Sequence, residues 1–217
     1  MIPKIFVQTS RNKPEKYIVD MIKERSPNWE YQHYTDDEII IFFAENPIDE
    51  FPNIIAKFYT LNYGEHRADL FRYYFLYVKG GVYMDTDAMI YDNIDYIIKT
   101  SEFISVNSSY FPGTIFQGFL GAKPKHNIIY KALKNIYNTP LENLRIEYHL
   151  LCKNLYEYIK EEIINNIKEY SNNDILLLEE YYGNENEAYI KNFENKTVLI
   201  HYHIKKIIPI TISIDNN

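Results

Sequence analysis

The stretch from His66 to Asp87 constrains this chain more than any other, because it sets charges inside an apolar helix and then delivers two carboxylates just past a double-glycine bend. Between Ala68 and Val78 nearly every position is apolar or aromatic. Leu70, Tyr73, Tyr74 and Tyr77 keep helical spacing, and Phe71, Phe75 and Val78 fill a neighbouring face. A helix that is apolar almost all round belongs in an interior. Asp69 and Arg72 stand three positions apart and so share one face of it. Charges in such surroundings are costly unless they pair with each other or with a ligand, so a structural ion pair and a binding site are both open at this point. Gly80-Gly81 supplies a stop and a sharp turn. Val82-Tyr83-Met84 then reads as a strand start, with Asp85 and Asp87 at its carboxyl end, where open α/β sheets bind ligands. Carboxylates two apart on an extended chain point to opposite faces. They serve one cation together only if the backbone bends there, or if one of them acts through water or substrate. Hard divalent cations accept such oxygens and leave positions for phosphate, although an Asp-X-Asp alone also occurs in solvated turns.

Taken together, His66-Arg67-Ala68-Asp69-Leu70-Phe71-Arg72-Tyr73 and Gly80-Gly81-Val82-Tyr83-Met84-Asp85-Thr86-Asp87 resemble the DXD region of the family 32 glycosyltransferases, the yeast-type mannosyltransferases and their relatives. The same arrangement is similar to that of the α-1,4-galactosyltransferases and the glucosylating clostridial toxins. The resemblance implies an α/β GT-A fold, a Rossmann-like nucleotide-sugar-binding unit with a mixed central sheet flanked by helices. It implies a metal-dependent, retaining hexosyltransferase in which Asp69 and Arg72 hold the donor sugar. Asp85 and Asp87 would bind Mn²⁺, with Mg²⁺ as the alternative, together with the donor diphosphate. UDP-sugars are favoured as donors and GDP-mannose is the alternative. The acceptor is left open among glycan, protein and lipid.

Other blocks extend the likeness. Ile2–Thr9 reads as the opening strand and resembles the family's first strand, which makes Val7, Gln8 and Thr9 candidates for base or ribose contacts. Ile115–His126 resembles a segment in which an amide lines the sugar pocket, and Gln117 stands at that amide. It is therefore a candidate catalytic residue beside Asp69 and Arg72, whereas His126 is expected to be a helix cap or a surface residue and not a ligand. Thr197–Ile200 reads as the final strand. By resemblance His201 is the third metal ligand, with His203 a second candidate at the donor and Lys205 or Lys206 placed to neutralise the diphosphate.

The rest of the chain reads as scaffold. Pro14–Arg25 is expected to be a helix, Tyr31–Tyr34 a strand, and Asp37–Phe43 a helix capped by Thr35 or Asp36. Pro47 and Pro52 break the segment before the buried helix, and Ala88–Ile98 is expected to wrap over the metal site. Phe103–Val106 and Asp174–Glu180 read as strands, and Leu144–Tyr170 as amphipathic helix in one or two pieces. Trp29 is assigned to core packing in preference to sugar stacking, and Glu147 and His149 to a solvated helix face in preference to the site. A length of 217 residues suits one domain, 1–217, with a sizeable core. A net charge of −7 argues against nucleic acid as a partner. Cys152 is the only cysteine, which excludes an internal disulfide and a cysteine zinc site. No signal peptide or apolar run of spanning length is visible. The expectation is a soluble, cytoplasmic protein without an integral membrane anchor, or a catalytic domain trimmed from or peripheral to a membrane. Two other functions fit an Asp-X-Asp after a strand: a phosphatase of the haloacid-dehalogenase type, and a carbohydrate- or nucleotide-binding module without turnover.

Overall fold

Short apolar runs alternate with helical stripes along most of this chain, and the computed structural model, which describes residues 1–169, 175–183 and 186–202, follows that alternation. In order the elements are β1 (Ile5–Thr9), α1 (Lys16–Arg25), β2 (Glu30–Tyr34), α2 (Asp36–Glu45), α3 (Ile54–Thr60), α4 (Gly64–Val78), β3 (Gly81–Met84), β4 (Ala88–Ile90) and α5 (Ile94–Ile98). They continue with β5 (Phe103–Asn107), β6 (Ile115–Ala122), α6 (Asn127–Asn138), α7 (Leu141–Ile146), α8 (Leu150–Glu169), β7 (Ile175–Tyr182), β8 (Glu187–Lys191) and β9 (Thr197–Tyr202). His203, Lys205 and Lys206 lie outside the described residues. No helix among the described residues is long and apolar enough to cross a membrane.

The strands form one mixed sheet in the order β2-β1-β3-β6-β5-β7-β8-β9-β4. β1 pairs in parallel with both β2 and β3, and β5 in parallel with β7, while the other neighbours run antiparallel. Strand pleating sends successive residues to opposite faces, and each face has its own core. Val7, Tyr83, Phe103 and Leu120 join the core built with α2, α3, α4, α6 and α8. Their neighbours Phe6, Val82, Ile104 and Phe119 join the core that includes α1, α5 and β4. Trp29 belongs to the second core, and its indole N–H donates to Asp95 Oδ1 at 3.1 Å.

One topological fact positions the site. β3 and β4 are separated by three residues, Asp85 to Asp87, yet β3 is third in the sheet and β4 is at its far edge. The four steps from Met84 to Ala88 span at most about 14 Å. The sheet therefore curls until its last strands return to the exit of β3. Contacts agree: the Phe116 ring of β6 lies 4.4 Å from the His201 ring of β9, and Ala88 pairs with His201. Ala88–Ile90, expected to wrap over the site, instead closes this curled edge as a strand.

Local signals explain the flanking elements. Thr35 and Glu38 form a reciprocal capping box at the start of α2. His126 accepts from the Ile128 backbone N–H at 3.3 Å and caps α6; it is buried, which settles the expected choice between cap and surface residue for the cap. Burial and then Lys123 lower its pKa to about 4. At the end of α4 the chain turns through Gly80 (φ +69°) and Gly81 (φ +112°), a region that favours glycine. A Cβ at Gly81 would also stand 2.6 Å from the Ile5 carbonyl oxygen.

Candidate active site

α4 is apolar almost all round and lies in the core, so the charges it carries must be answered locally. It starts at Gly64, four residues before the expected Ala68, and its buried residues run from His66 to Leu76. Arg72 is 4 % exposed and almost every group around it is an acceptor. Its Nη1 donates to the Gln117 carbonyl at 2.5 Å and its Nη2 to Asp85 Oδ1 at 3.3 Å. Nε lies 3.5 Å from Asp69 Oδ1, and the guanidinium stacks 4.3 Å over the Tyr83 ring. Nε also donates to the Ala68 carbonyl at 3.3 Å, so Arg72 is held in one orientation by five partners.

Asp69 is the strained member. Burial pushes its carboxyl up from 3.8 to about 6, against the attraction of Arg72 and then His66. Gln117 completes the floor. With its amide nitrogen turned towards Asp69 it donates to Oδ1 at 3.1 Å, and its oxygen accepts from the Cys152 backbone N–H at 3.1 Å. The Tyr73 hydroxyl bonds the same amide. Asp69, Arg72, Gln117 and Asp85 therefore form one continuous polar floor beneath a cavity of about 960 Å³.

The exit of β3 supplies the carboxylates. Asp85 is fixed through its backbone and its side chain: its N–H donates to the Gly118 carbonyl at 2.9 Å, and its carbonyl accepts from Gln8 Nε2 at 3.2 Å. Its Oδ1 accepts from the Tyr83 hydroxyl at 2.7 Å as well as from Arg72. Oδ2 lies over Gly118, where a Cβ would come within 2.7 Å of it. Asp87 stands beside β9: its carbonyl accepts from the Tyr202 N–H at 2.9 Å, and its Oδ1 is 3.9 Å from His201 Nε2. Asp85, Asp87 and His201 all line the cavity. Among the described residues no three His, Cys, Asp or Glu side chains close into a metal cage. The arrangement instead fits a hard cation that binds through one or two carboxylates and fills its remaining positions with water and phosphate oxygens.

The remaining expected residues divide. Val7 is buried in a core and Gln8 is fully buried behind Asp85, held by the Tyr31 hydroxyl at 3.0 Å, so that of the three β1 residues Thr9 lines the cavity. His201 sits within β9, although the strand was expected to end at Ile200. Glu147 pairs with Lys153, but His149 faces the cavity from the turn between α7 and α8. Several lining residues had no role in the sequence reading: His66, Ser108, Tyr110, Phe111, Tyr148 and Glu180. The helical periodicity that buries His66 was visible. The pairing of β5 with β7, which brings Ser108 to Glu180, was not.

Comparison with known proteins points the same way. Residues 12–104 match the family described as the glycosyltransferase sugar-binding region containing DXD motif. The chain is similar to inositol phosphoceramide mannosyltransferase 1 of Schizosaccharomyces pombe, 28% identical over 142 residues that cover 62% of this chain and 43% of that protein. It is similar to a mannosyl phosphorylinositol ceramide synthase of Saccharomyces cerevisiae, 30% identical over 140 residues covering 63% of this chain and 35% of that protein. It is also similar to the initiation-specific alpha-1,6-mannosyltransferase of the same yeast, 37% identical over 70 residues covering 32% and 14%. The chain thus spans less than half the length of these relatives. Among solved structures, the PaToxG glycosyltransferase superposes with a TM-score of 0.53 at 13% identity, covering 78% of this chain and 75% of that one, which shows a GT-A-like α/β fold.

Proposed function

We infer that this chain, which carries the DXD-containing sugar-binding region of glycosyltransferases, is a metal-dependent, retaining hexosyltransferase acting on a nucleotide-diphosphate sugar. The observation that supports this best is the polar floor of Asp69, Arg72, Gln117 and Asp85 beneath an otherwise core-lined helix. A buried carboxylate whose pKa is driven upward costs stability, and perturbed groups in a cleft mark functional sites.

Each residue has a task that its surroundings permit. At neutral pH Asp69 is ionised, so it accepts hydrogen bonds from sugar hydroxyls, while the Arg72 guanidinium donates to sugar or phosphate oxygens. Arg72 is already locked by Gln117, Asp85 and Tyr83, so little of its freedom is lost when the donor arrives. Gln117 orients the oxygens nearest the anomeric centre. Asp85, Asp87 and His201 would hold a divalent cation, which would supply Lewis acidity toward the departing nucleotide and offset the charge of its diphosphate. Thr9 stands at the nucleotide end, with Gln8 acting through Asp85. His203, Lys205 and Lys206 complete the phosphate side in this proposal. The acceptor attacks from the face the nucleotide leaves, which retains the anomeric configuration.

UDP-hexoses are the first donors to test and GDP-mannose the second, since the relatives named above are mannosyltransferases. The acceptor is a glycan, protein or lipid, and the proposed setting is soluble and cytoplasmic, with a place peripheral to a membrane or a catalytic domain trimmed from a longer protein as the alternatives. The deciding experiment incubates the full chain with Mn²⁺ or Mg²⁺ and UDP-glucose, UDP-galactose, UDP-N-acetylglucosamine or GDP-mannose. It follows nucleotide release by chromatography and the product anomer by NMR. Sugar transfer with the donor's configuration is expected. An inverted product would refute retention. Phosphate release from simple phosphomonoesters without sugar transfer would replace the proposal with a phosphatase, and binding without turnover would replace it with a binding module.

A further inference from the structure

The floor described above occupies one side of the cavity, and a wall of rings occupies another. Tyr110 stacks on Tyr182 with centroids 5.4 Å apart and meets Phe111 edge-on at 4.6 Å. Phe111 lies 4.3 Å from His149, His149 5.1 Å from Tyr148, and Tyr148 5.5 Å from His66. Six rings from four separate segments thus run in unbroken contact from the end of β7 to the start of α4, and all of them line the cavity. Tyr110, Phe111, Tyr148 and Tyr182 are between 42 % and 53 % exposed. Large rings this open are ordinary singly, but contiguous ones along a cleft mark a binding surface.

Inside that wall stands a carboxylate the donor site leaves unused. Glu180 is 3 % exposed and lines the cavity. Its Oε2 accepts from the Ser108 hydroxyl at 2.6 Å. Among the described residues it has no cationic partner, and Oε1 accepts no hydrogen bond. A buried carboxylate held by one hydroxyl has unused acceptor capacity, which water or a ligand hydroxyl must meet.

We propose that this wall is the acceptor subsite and that it takes a neutral pyranose, such as the terminal sugar of a glycan or glycoside, with Glu180 Oε1 accepting from one of its hydroxyls. A transferase function as proposed above is its premise. The chemistry matches on both sides: the apolar C–H face of a pyranose packs on a ring, and its equatorial hydroxyls need acceptors such as Glu180. The charge pattern speaks against an anionic lipid headgroup. Among the described residues no lysine lines the cavity; of its three arginines, Arg67 is paired with Asp36, Arg72 is held in the floor, and Arg11 follows Thr9 and Ser10 at the exit of β1. A surface meant for anionic lipid would carry a cluster of basic side chains, whereas among the described residues this cavity has one unpaired arginine and the segments that build the ring wall present a carboxylate.

The test is saturation-transfer NMR on the full chain with the methyl glycosides of glucose, galactose and mannose. It is run once without nucleotide and once with Mg²⁺ plus UDP or GDP. At least one glycoside is expected to receive saturation on its ring protons. Phe111→Ala and Tyr182→Ala should weaken that binding on the order of 10-fold, and Glu180→Gln by roughly 10- to 100-fold. Phe111→Tyr and Tyr182→Phe, which keep the ring face, should restore it. Urea midpoints of the variants guard against misfolding. Absence of saturation for all three glycosides in both states overturns the proposal, as does binding that ignores Glu180 and both rings. Sedimentation with phosphatidylcholine–phosphatidylinositol vesicles that is lost in Phe111→Ala, with no glycoside signal, makes the wall a membrane contact and also overturns it. If neither UDP nor GDP binds while the glycoside signal remains dependent on Glu180, the donor assignment fails and the sugar wall stands.

Discussion

Replacing Asp69 by asparagine is expected to make the ligand-free protein more stable at neutral pH and far less active. The pKa of Asp69 rises from 3.8 to about 6 because burial penalises the anion, with Arg72 and then His66 opposing that rise. Between those values the folded chain keeps a proton that the unfolded chain has released. Stability from this group is therefore complete below about pH 3.8 and is lost as pH rises through about 6. Two pH units at ~1.4 kcal/mol each give an upper bound of about 3 kcal/mol at pH 7.5. Asparagine also gives up the ion pair with Arg72, so a net gain of about 1–2 kcal/mol is expected. The parent's own pH profile hides this. His126, lowered to about 4 by burial first and Lys123 second, contributes stability that is complete above about pH 6.5 and lost as pH falls through about 4. The two slopes oppose each other over nearly the same window. The difference between Asp69→Asn and parent, taken from urea denaturation at pH 4, 5, 6 and 7.5, isolates the carboxylate. Its advantage should be near zero at pH 4 and grow to its full value at pH 7.5. An offset that is constant with pH, or a variant less stable at pH 7.5, would refute the burial reasoning. Turnover in the same variant should fall by roughly 100-fold, as when a preorganised hydrogen-bonding group is removed.

Two other outcomes follow from the same geometry. Gly81→Ala forces a side chain into positive φ and against the Ile5 carbonyl, so it should cost at least about 2 kcal/mol in urea denaturation. Gly64→Ala, with open space around its Cβ, should be neutral or slightly stabilising; equal losses at both positions would count against the bend as a steric requirement. The Cys152 thiol, pushed up to about 11 by burial first and Asp69 second, should react with iodoacetamide at pH 7.5 far more slowly than the urea-unfolded chain does. Equal rates would contradict its burial beside the floor.

What could be read from the sequence was what local pattern encodes. The burial of α4, its glycine stop, the capping box at Thr35 and the core position of Trp29 follow from spacing or side-chain type over a few residues. Asp69, Arg72 and Asp85 lie within seventeen positions of one another on a helix, a turn and a strand exit, so their meeting was also legible. Long-range pairing was not. Glu180 reaches the cavity because β7 pairs with β5, and Ser108, which bonds it, lies seventy-two residues earlier. His201 meets Asp87 because a curled sheet sets β9 beside β4, a strand of three residues too short to show any alternation. Alternation sets Gln8 apart from Val7 and Thr9, and position along β1 separates those two, since Thr9 is its last residue. Val7 turns into a core, Gln8 is sealed behind Asp85, and Thr9 opens to the cavity.

The proposed function rests on Asp85 and Asp87 gripping a cation that in turn grips a nucleotide diphosphate. Isothermal titration of UDP and GDP into the full chain, with Mn²⁺ and then with EDTA, tests it most directly when repeated on Asp87→Asn. One nucleotide should bind at least about 10-fold more tightly with Mn²⁺, and Asp87→Asn should remove this gain without lowering the urea midpoint. Nucleotide binding of equal strength in EDTA, or a manganese effect that survives Asp87→Asn, would contradict it.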